Sequence, residues 1–438
     1  MYIFSSKMAG YAIRLVLPYF LVRLLTVAEF GAYRQFFLLE MYIGTLFQLG
    51  LNQALYYFIP RDIRNSGAYF LNTVLLNSLV FTVAFAVIGL AVSPLAKALN
   101  MEILKDAFWI LAANVVILML VVACDCYLTA RERVRAAAAF EIVGQLLLSV
   151  ASVVAAVMTH DLNTILAWLV VARAIQLVAM FVFIHWRMDG FRAERYFFGI
   201  REQVRYGIVL GAGGTLLTML MKLNEFFVNR YYGAEGFAIY SAGCTDLPFV
   251  RMFTQSVAVV TLGQFAILEK NNDWEGMRRL WRQVLTSSYA TAVPFIIVLV
   301  VFAKPIIIFM FTDKYAEAIT IFQIATVQKL ALVFNATLIL RAINRNDLSI
   351  WTNVISLVVA PFMFYGGMKA GGMIGIIIAQ SVLLVGSRWA GVYVMNRAIP
   401  SPMPYFAAWG EIWQFYRTSF RKGRGWMQSA AHRSGLGR

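Results

Sequence analysis

The amino-acid sequence predicts an all-α polytopic membrane protein of about twelve transmembrane helices, arranged as two six-helix bundles. Three observations support this fold class. Of the 438 residues, 61% are hydrophobic and the mean hydropathy is +0.71. Only 14% are charged, against about 25% in soluble domains. Long apolar runs recur along the whole chain, and they alternate too little with polar residues for an outer-membrane barrel.

A hydrocarbon core about 30 Å thick requires roughly 20 apolar residues for each helical crossing. Twelve such runs can be counted. The first follows a short polar lead and is expected to be an uncleaved span rather than a signal peptide. The runs are residues 8–26, 36–59, 68–92, 107–129, 137–158, 164–185, 207–229, 237–268, 283–311, 317–340, 349–368 and 372–395.

The basic residues set the predicted orientation. With the N-terminus in the cytoplasm, 24 of the 38 Lys and Arg lie in inner segments, seven in outer segments and seven inside spans. Cytoplasmic loops carry the excess of Lys and Arg, so both termini are expected in the cytoplasm. The same distribution accounts for the net charge of +16 without nucleic acid, since no groove-reading motif accompanies it.

The longest inner link divides the chain into two predicted lobes. Residues 187–206 form a basic cytoplasmic linker between an N-terminal lobe, 1–186, and a C-terminal lobe, 207–396, and residues 397–438 form a basic tail. The string AEFGAY at 28–33 has an echo in AEGFAIY at 234–240. Six spans in each lobe give both the same orientation, as in transporters whose parallel repeats surround a cavity that opens alternately to each side.

Cations inside the spans are the first candidate site. Arg14, Arg173, Arg251 and Lys329 fall near mid-bilayer by residue count, and no acid of matching depth is available for most of them. Each costs about 2.5–3.5 kcal/mol if it faces lipid. The sequence therefore predicts a wet cavity with a basic layer that binds an anionic headgroup.

A second candidate lies in the seventh span, where Lys222 and Glu225 are three residues apart. Side chains at that spacing share a helical face and can pair. Two interpretations stay open: a pair that satisfies itself at the outer rim, or a face at the cavity mouth where Lys222 receives the headgroup. The candidates for binding a coupling ion are Asp125, Glu141 and Glu225.

Other chemistry has little support in the sequence. The three cysteines and three histidines have no metal-ligand spacing, so no metal site is expected. No nucleotide-binding loop occurs. We therefore expect no catalytic residues and no cofactor, with a proton or sodium gradient as the energy source.

Four segments carry a family resemblance: TVAEFGAYRQFF at 26–37, LFQLGLNQALYYF at 46–58, LNEFFVNRYYGAEGFAIYSAG at 223–243 and FTDKYAEAITIFQI at 311–324. In order and spacing they resemble the polysaccharide exporters. These are the Wzx-type lipid-linked oligosaccharide flippases of the multidrug/oligosaccharidyl-lipid/polysaccharide (MOP) superfamily. The resemblance covers most of the first eleven spans.

The resemblance implies a V-shaped transporter with two lobes and twelve helices, and no enzyme activity. It implies a polyprenyl-pyrophosphate-linked oligosaccharide as substrate, moved from the inner to the outer leaflet of the bacterial plasma membrane. The product would serve exopolysaccharide, O-antigen or capsule biosynthesis. The acidic residue of the seventh span in this family corresponds to Glu225.

Rival functions differ in the residues they need. A drug or metabolite antiporter of the same superfamily needs acids at depth, where this sequence is basic. A membrane glycosyltransferase, polymerase or ligase needs a large catalytic loop or a DxD site, which the sequence lacks. A non-transporting scaffold of a polysaccharide synthesis complex stays open.

The tail is the remaining feature, because the aromatic and basic stretch at 404–426 suits a helix on the anionic inner leaflet. A disordered basic end is the alternative. Docking to a polysaccharide polymerase or a glycosyltransferase is a further possibility for this tail.

Overall fold

A computed structural model describes residues 2–188, 197–247, 249–333, 336–343, 345–407, 410–414 and 416–417. At helix positions 2–9, 11, 12, 14, 213, 249–256, 258–260 and 346 it describes the backbone only. The helices in this part of the chain are α1 (Tyr2–Leu24), α2 (Val27–Phe47), α3 (Leu51–Arg61), α4 (Ser66–Leu90), α5 (Val92–Leu99), α6 (Ile103–Asp106), α7 (Phe108–Ala130), α8 (Val134–Thr159), α9 (Leu162–Met188), α10 (Ile200–Gly243), α11 (Phe249–Lys270), α12 (Trp274–Val301), α13 (Ala303–Phe311), α14 (Ala318–Gln328), α15 (Thr337–Ala342) and α16 (Asn346–Ala398).

The predicted all-α membrane fold is confirmed. Within the described residues, eight helical stretches are long and apolar enough to cross a membrane. One of them, α16, contains both the eleventh and the twelfth predicted spans. Its helix is interrupted at Gly371 and Gly372, and Gly372 has φ of 60°, a backbone conformation that glycine adopts without steric cost.

Several predicted spans are divided in the structure. The second, 36–59, is interrupted between α2 and α3, where Leu49 and Gly50 have φ of 47° and 64°. The eighth, 237–268, is divided between α10 and α11, and the ninth, 283–311, between α12 and α13. The tenth contains a 3₁₀ turn, Lys329–Val333, after α14. Apolarity alone does not reveal these breaks, since the residues at them are mostly apolar.

The chain folds into two compact units. Unit 1 is Met1–Ala242 with Pro305–Ala318, and unit 2 is Gly243–Lys304 with Ile319–Arg438. These units do not coincide with the predicted lobes 1–186 and 207–396. The difference is that most of α10 and a short segment from the second half of the chain pack with the first six spans.

Contacts within unit 1 explain this membership. At the start of α10, Gln203 donates to the Thr73 hydroxyl at 2.6 Å. A Cβ on Gly207 would lie 2.9 Å from the Leu49 carbonyl oxygen, so the two backbones are in direct contact. The ring of Phe30 lies 6.3 Å from that of Phe311, which brings the segment Pro305–Ala318 onto α2.

Each unit has its own apolar core. In unit 1, α8 packs against α1 and α9, and α7 packs against α3, α4 and α9. The rings of Phe70 and Tyr127, both fully buried there, lie 4.5 Å apart. In unit 2, Trp281 and Phe265 are fully buried among residues of α11, α12, α15 and α16. These cores hold the charged side chains considered next.

Candidate functional site

Arg173 lies in a buried polar cluster of unit 1 that three helices build. Its Nη1 on α9 is 3.0 Å from Glu40 Oε2 on α2 and 2.8 Å from Asn114 Oδ1 on α7. The Asn114 amide also donates to Glu40. The side chains of Arg173 and Glu40 are only 8% and 12% exposed. The guanidinium and the carboxylate therefore neutralise each other inside the apolar unit.

This cluster corrects the prediction that Arg173 has no acid at its depth. The predicted span 36–59 placed Glu40 near the outer face, but α2 begins at Val27 and Glu40 lies well inside it. The start of α2 is marked by a capping box between Thr26 and Glu29. That motif is visible in the sequence and indicates that the helix extends further toward the N-terminus.

Lys222 and Glu225 form the predicted ion pair on α10. The Lys222 side chain is 37% exposed, whereas that of Glu225 is 9% exposed. Tyr42 of α2 packs its ring 5.5 Å from that of Phe226, beside this pair. The pair satisfies itself, and only the ammonium end is open to a ligand.

Lys329 has an acidic partner in unit 2. Its Nζ lies 3.0 Å from Asp246 Oδ1, and the two side chains are 14% and 29% exposed. Lys329 begins the 3₁₀ turn after α14, and Asp246 lies in the link between α10 and α11. The prediction overlooked this partner because Asp246 was assigned to a continuous span, whereas the chain is non-helical there.

The remaining two predicted ligands for the headgroup are Arg14 and Arg251. Their backbones belong to α1 and α11, but their side chains lie outside the described part of the structure. Of the five predicted cations, Arg173, Lys222 and Lys329 therefore each contact a carboxylate. The basic layer is more nearly balanced than the sequence predicted.

The three candidates for a coupling ion lie on different helices. Glu225 pairs with Lys222 on α10. Glu141 of α8 faces α1, because a Cβ on Gly10 would lie 3.5 Å from its Oε1. Asp125 of α7 is flanked by the buried Cys124 and Cys126. Both Glu141 and Asp125 have interaction partners in the structure.

Sequence reasoning missed the buried amides of unit 1. Asn114 is fully buried and completes the Arg173 cluster. Asn77 of α4 donates to Asn52 Oδ1 of α3 at 2.8 Å, and both side chains are buried. Buried polar groups in proteins are nearly always hydrogen-bonded. An Asn inside an apolar run is the sequence signal for such a buried hydrogen bond. The prediction considered only charged residues and therefore missed it.

Similar solved structures agree on the fold of this chain. An inward-facing multidrug resistance MATE family transporter of the MOP superfamily superposes with a TM-score of 0.71 at 14% identity, covering 89% of this chain and 94% of that one. The lipid II flippase MurJ in an inward closed conformation gives 0.67 at 12% identity, covering 90% and 87%. A MOP superfamily transporter from Pyrococcus furiosus gives 0.63 at 12% identity, covering 91% and 94%.

Family comparison agrees with this fold and is more specific. None of the curated proteins matches the chain. A family model described as "Polysaccharide biosynthesis protein" matches residues 20–320, which is more than half of the 438 residues. The long apolar helices and the similarity to MOP superfamily transporter structures are both consistent with this match. The chain is a multi-pass membrane protein that belongs to the polysaccharide biosynthesis protein family.

Proposed function

We propose that this protein is a flippase for a polyprenyl-pyrophosphate-linked oligosaccharide, which it moves from the inner to the outer leaflet by alternating access. The membrane is the plasma membrane of a bacterium, and both termini are cytoplasmic. The observation that carries the proposal is the family match over residues 20–320 in a chain with the MOP transporter fold. A lipid II flippase is among the proteins of similar structure.

Partly exposed ion pairs suit the binding of a pyrophosphate group. Lys222 and Lys329 each hold a carboxylate and remain open to solvent over part of the side chain. A phosphate oxygen can replace a carboxylate oxygen at an ammonium group when the displaced carboxylate takes up a proton or is solvated by water, because an unpaired charge is costly in this medium. Arg14 and Arg251 complete the proposed set of headgroup ligands.

Arg173 has a different role in this proposal. Its side chain is buried and bound by both Glu40 and Asn114. Removing it from these partners would leave a buried charge unpaired, which typically costs several kcal/mol. We therefore propose that Arg173 stabilises unit 1 and does not contact the headgroup itself.

Return of the empty transporter requires an energy source, and a proton or sodium ion bound by Asp125, Glu141 or Glu225 provides it in our proposal. Glu225 is the strongest of the three. Its carboxylate is nearly buried but touches a partly exposed ammonium. Protonation of Glu225 would free Lys222 for a phosphate.

An ion-coupled antiporter for drugs or metabolites is the second candidate function, because multidrug MATE transporters are among the similar structures. The two functions differ in the charge that the site offers. An antiporter for cations needs an acid free of basic partners, whereas Glu40, Glu225 and Asp246 each contact a cation.

Reconstituted transport tests the proposal. Purified protein in liposomes should move a fluorescent polyprenyl-pyrophosphate disaccharide until it is protected from a membrane-impermeant quencher. The K329Q variant should flip it at least about tenfold more slowly, as expected for the loss of a charge-assisted contact to phosphate. K369Q is a matched control, since Lys369 is exposed and lies over the Tyr365 ring.

Transport of cationic dyes without flipping of the lipid would support the antiporter instead. Transport of neither by folded wild-type protein would favour the scaffold. A reporter fused after the last residue should remain cytoplasmic, and its appearance on the outer side would overturn the proposed orientation.

A further inference from the structure

The segment that follows α16 folds back onto α12 within unit 2. Asn396 binds Met403 through two hydrogen bonds, of 3.0 Å to its carbonyl oxygen and 2.8 Å from its amide. The Trp281 indole then donates to the Pro404 carbonyl oxygen at 3.0 Å. Further along, the Tyr416 hydroxyl donates to the Ala290 carbonyl oxygen. We call the described residues of this segment, 399–407, 410–414 and 416–417, the tail segment.

The tail segment delivers a carboxylate to two separate donors on α12. Glu411 Oε2 accepts from the Thr286 hydroxyl at 3.1 Å. Glu411 Oε1 lies 3.5 Å from Nη1 of Arg282. Thr286 is buried, whereas the side chains of Arg282 and Glu411 are 44% and 32% exposed. The two oxygens of the Glu411 carboxylate therefore contact different donors, a guanidinium and a hydroxyl, and a bound anionic ligand could use the same two donors.

The carboxylate occupies only part of its surroundings. A cleft of about 680 Å³ lies between α11, α12 and the tail segment. Among the described residues, Glu411 is the one acid that lines it, and Arg279 and Arg282 are the cations. Its lining residues are Val257, Thr261, Arg279, Leu280, Arg282, Gln283, Val284, Thr286, Ser287, Glu411 and Gln414.

The donors left over suit a larger anion than a carboxylate. Arg279 is exposed and has no acidic partner among the described residues. The Gln283 amide lines the same cleft. The hydroxyls of Thr261 and Ser287 donate to their own helices, so they add no donors. Two guanidinium groups, an amide and the Thr286 hydroxyl match the several oxygens of a phosphate, and arginine binds phosphate in a bidentate manner.

We propose that this cleft is a binding site for phosphate or pyrophosphate groups, and that Glu411 occupies it as a competitor built into the chain. Binding of the group displaces the Glu411 carboxylate and loosens the tail segment from α12. With Arg279 and Arg282 predicted at the cytoplasmic face, the group can belong to an anionic phospholipid or to a polyprenyl pyrophosphate. Basic pockets on that side of membrane proteins commonly bind such headgroups. The inference does not depend on flippase activity.

Titration of the full-length protein with sodium pyrophosphate tests the site. In nanodiscs of phosphatidylcholine, calorimetry should show E411Q binding about twofold to fivefold more tightly than wild type, because an exposed ion pair has been removed. R282Q should bind at least about tenfold more weakly. E275Q is the matched control for the acid, since Glu275 is exposed in the first turn of α12 and does not line the cleft. Equal affinity of wild type and E411Q overturns the competition.

Hydrogen exchange gives an independent measurement that needs no substitution. Pyrophosphate should increase amide exchange in residues 410–417 of the wild type, because the tail segment is released. An increase with phosphatidylglycerol nanodiscs alone identifies a bilayer phospholipid as the source. An increase only with polyprenyl pyrophosphate identifies the lipid-linked substrate class. Unchanged exchange with all three probes overturns the proposal, even if R282Q fails to fold.

Discussion

The Glu40–Arg173 ion pair of unit 1 and the Asp246–Lys329 ion pair of unit 2 differ in how they are held and how exposed they are. In unit 1, Glu40 and Arg173 belong to long helices, are nearly buried and share Asn114 as a third partner. In unit 2, Asp246 and Lys329 lie where helices are interrupted, and the Asp246 side chain is 29% exposed. An acid and a base therefore neutralise each other in both pairs. The first pair lies inside packed helices, which we call a rigid pair, and the second lies at helix interruptions, which we call an open pair.

This difference shows that ion pairs in a membrane protein can serve two purposes, stability and the binding of a substrate. A buried pair with saturated hydrogen bonds is costly to break and changes little during function. A partly exposed pair at a break in a helix can exchange partners at low cost, because water compensates the charges. Interrupted helices beside polar groups are also where transporters bind their substrates.

The largest expected effect is the loss of one charge from the unit 1 cluster. We expect E40Q to lower the free energy of unfolding by about 3–5 kcal/mol, because Arg173 would remain buried without a counter-charge. Denaturant titration in detergent micelles measures this change. The double variant E40Q/R173Q should recover more than half of the loss, and no recovery would show that the two side chains are not coupled.

Backbone contacts at glycine should have the next largest effect. A Cβ on Gly50 would lie 2.1 Å from the Gly207 carbonyl oxygen, and the residue has φ of +64°. We expect G50A to cost about 2–4 kcal/mol, from the left-handed backbone and from overpacking.

In unit 2 a Cβ on Gly367 would lie 2.4 Å from the Gly375 carbonyl oxygen, so G367A should be of similar severity. G366A is the control, because open space surrounds that position. Thermal unfolding of the three variants would rank them, and a mild G50A would show that the contact in unit 1 can relax.

The Asp246–Lys329 pair should matter less for stability than the Glu40–Arg173 pair. We expect D246N to reduce the free energy of unfolding by about 0.5–1 kcal/mol, the range of partly solvated ion pairs. The same denaturant titration used for E40Q applies. A loss as large as that of E40Q would remove the contrast between a rigid and an open pair.

An effect as small as that of D246N is expected at the cap of α9 in unit 1. Asp161 accepts hydrogen bonds from the Thr164 hydroxyl at 2.7 Å and the Thr164 amide at 2.9 Å. These bonds lower the pKa of the Asp161 carboxyl. The stabilisation is therefore present above the ordinary pKa of aspartate and is lost as the pH falls through the lower folded-state value.

We expect D161A to cost about 0.5–1 kcal/mol at neutral pH. The difference from wild type should shrink as the solution is acidified, which thermal unfolding at several pH values can follow. A difference that stays constant down to acid pH would mean that the ionised carboxylate is not the cap.

Whether an interaction can be predicted from the sequence depends on how far apart its residues lie along the chain. Apolar runs of sufficient length predicted the helices, and the three-residue spacing predicted the pair of Lys222 and Glu225. Both follow from local geometry. The contact of Arg173 with Glu40 joins residues 133 positions apart, and no local rule specifies which helices meet. Arg23 likewise donates to the Phe309 carbonyl oxygen across 286 positions at 2.8 Å.

The breaks in helices were hidden for a related reason. A span is recognised by its mean apolarity, and an interruption of a few apolar residues leaves that mean unchanged. The tail was also only partly predictable. Its aromatic and basic composition indicated a surface helix, whereas the bond from Trp281 to Pro404 depends on the packing of unit 2.

The allocation of Pro305–Ala318 to unit 1 has a consequence for biosynthesis. The polypeptide leaves unit 1 after Ala242, returns at Pro305 and departs again after Ala318. The ring contacts of Phe30 with Phe311 and Tyr315 can form only after the ribosome has translated well past the midpoint of the chain. The first bundle inserted into the bilayer thus completes its packing only after much of the second has been made. Truncated chains ending near Ala242 should accordingly be prone to degradation by membrane proteases.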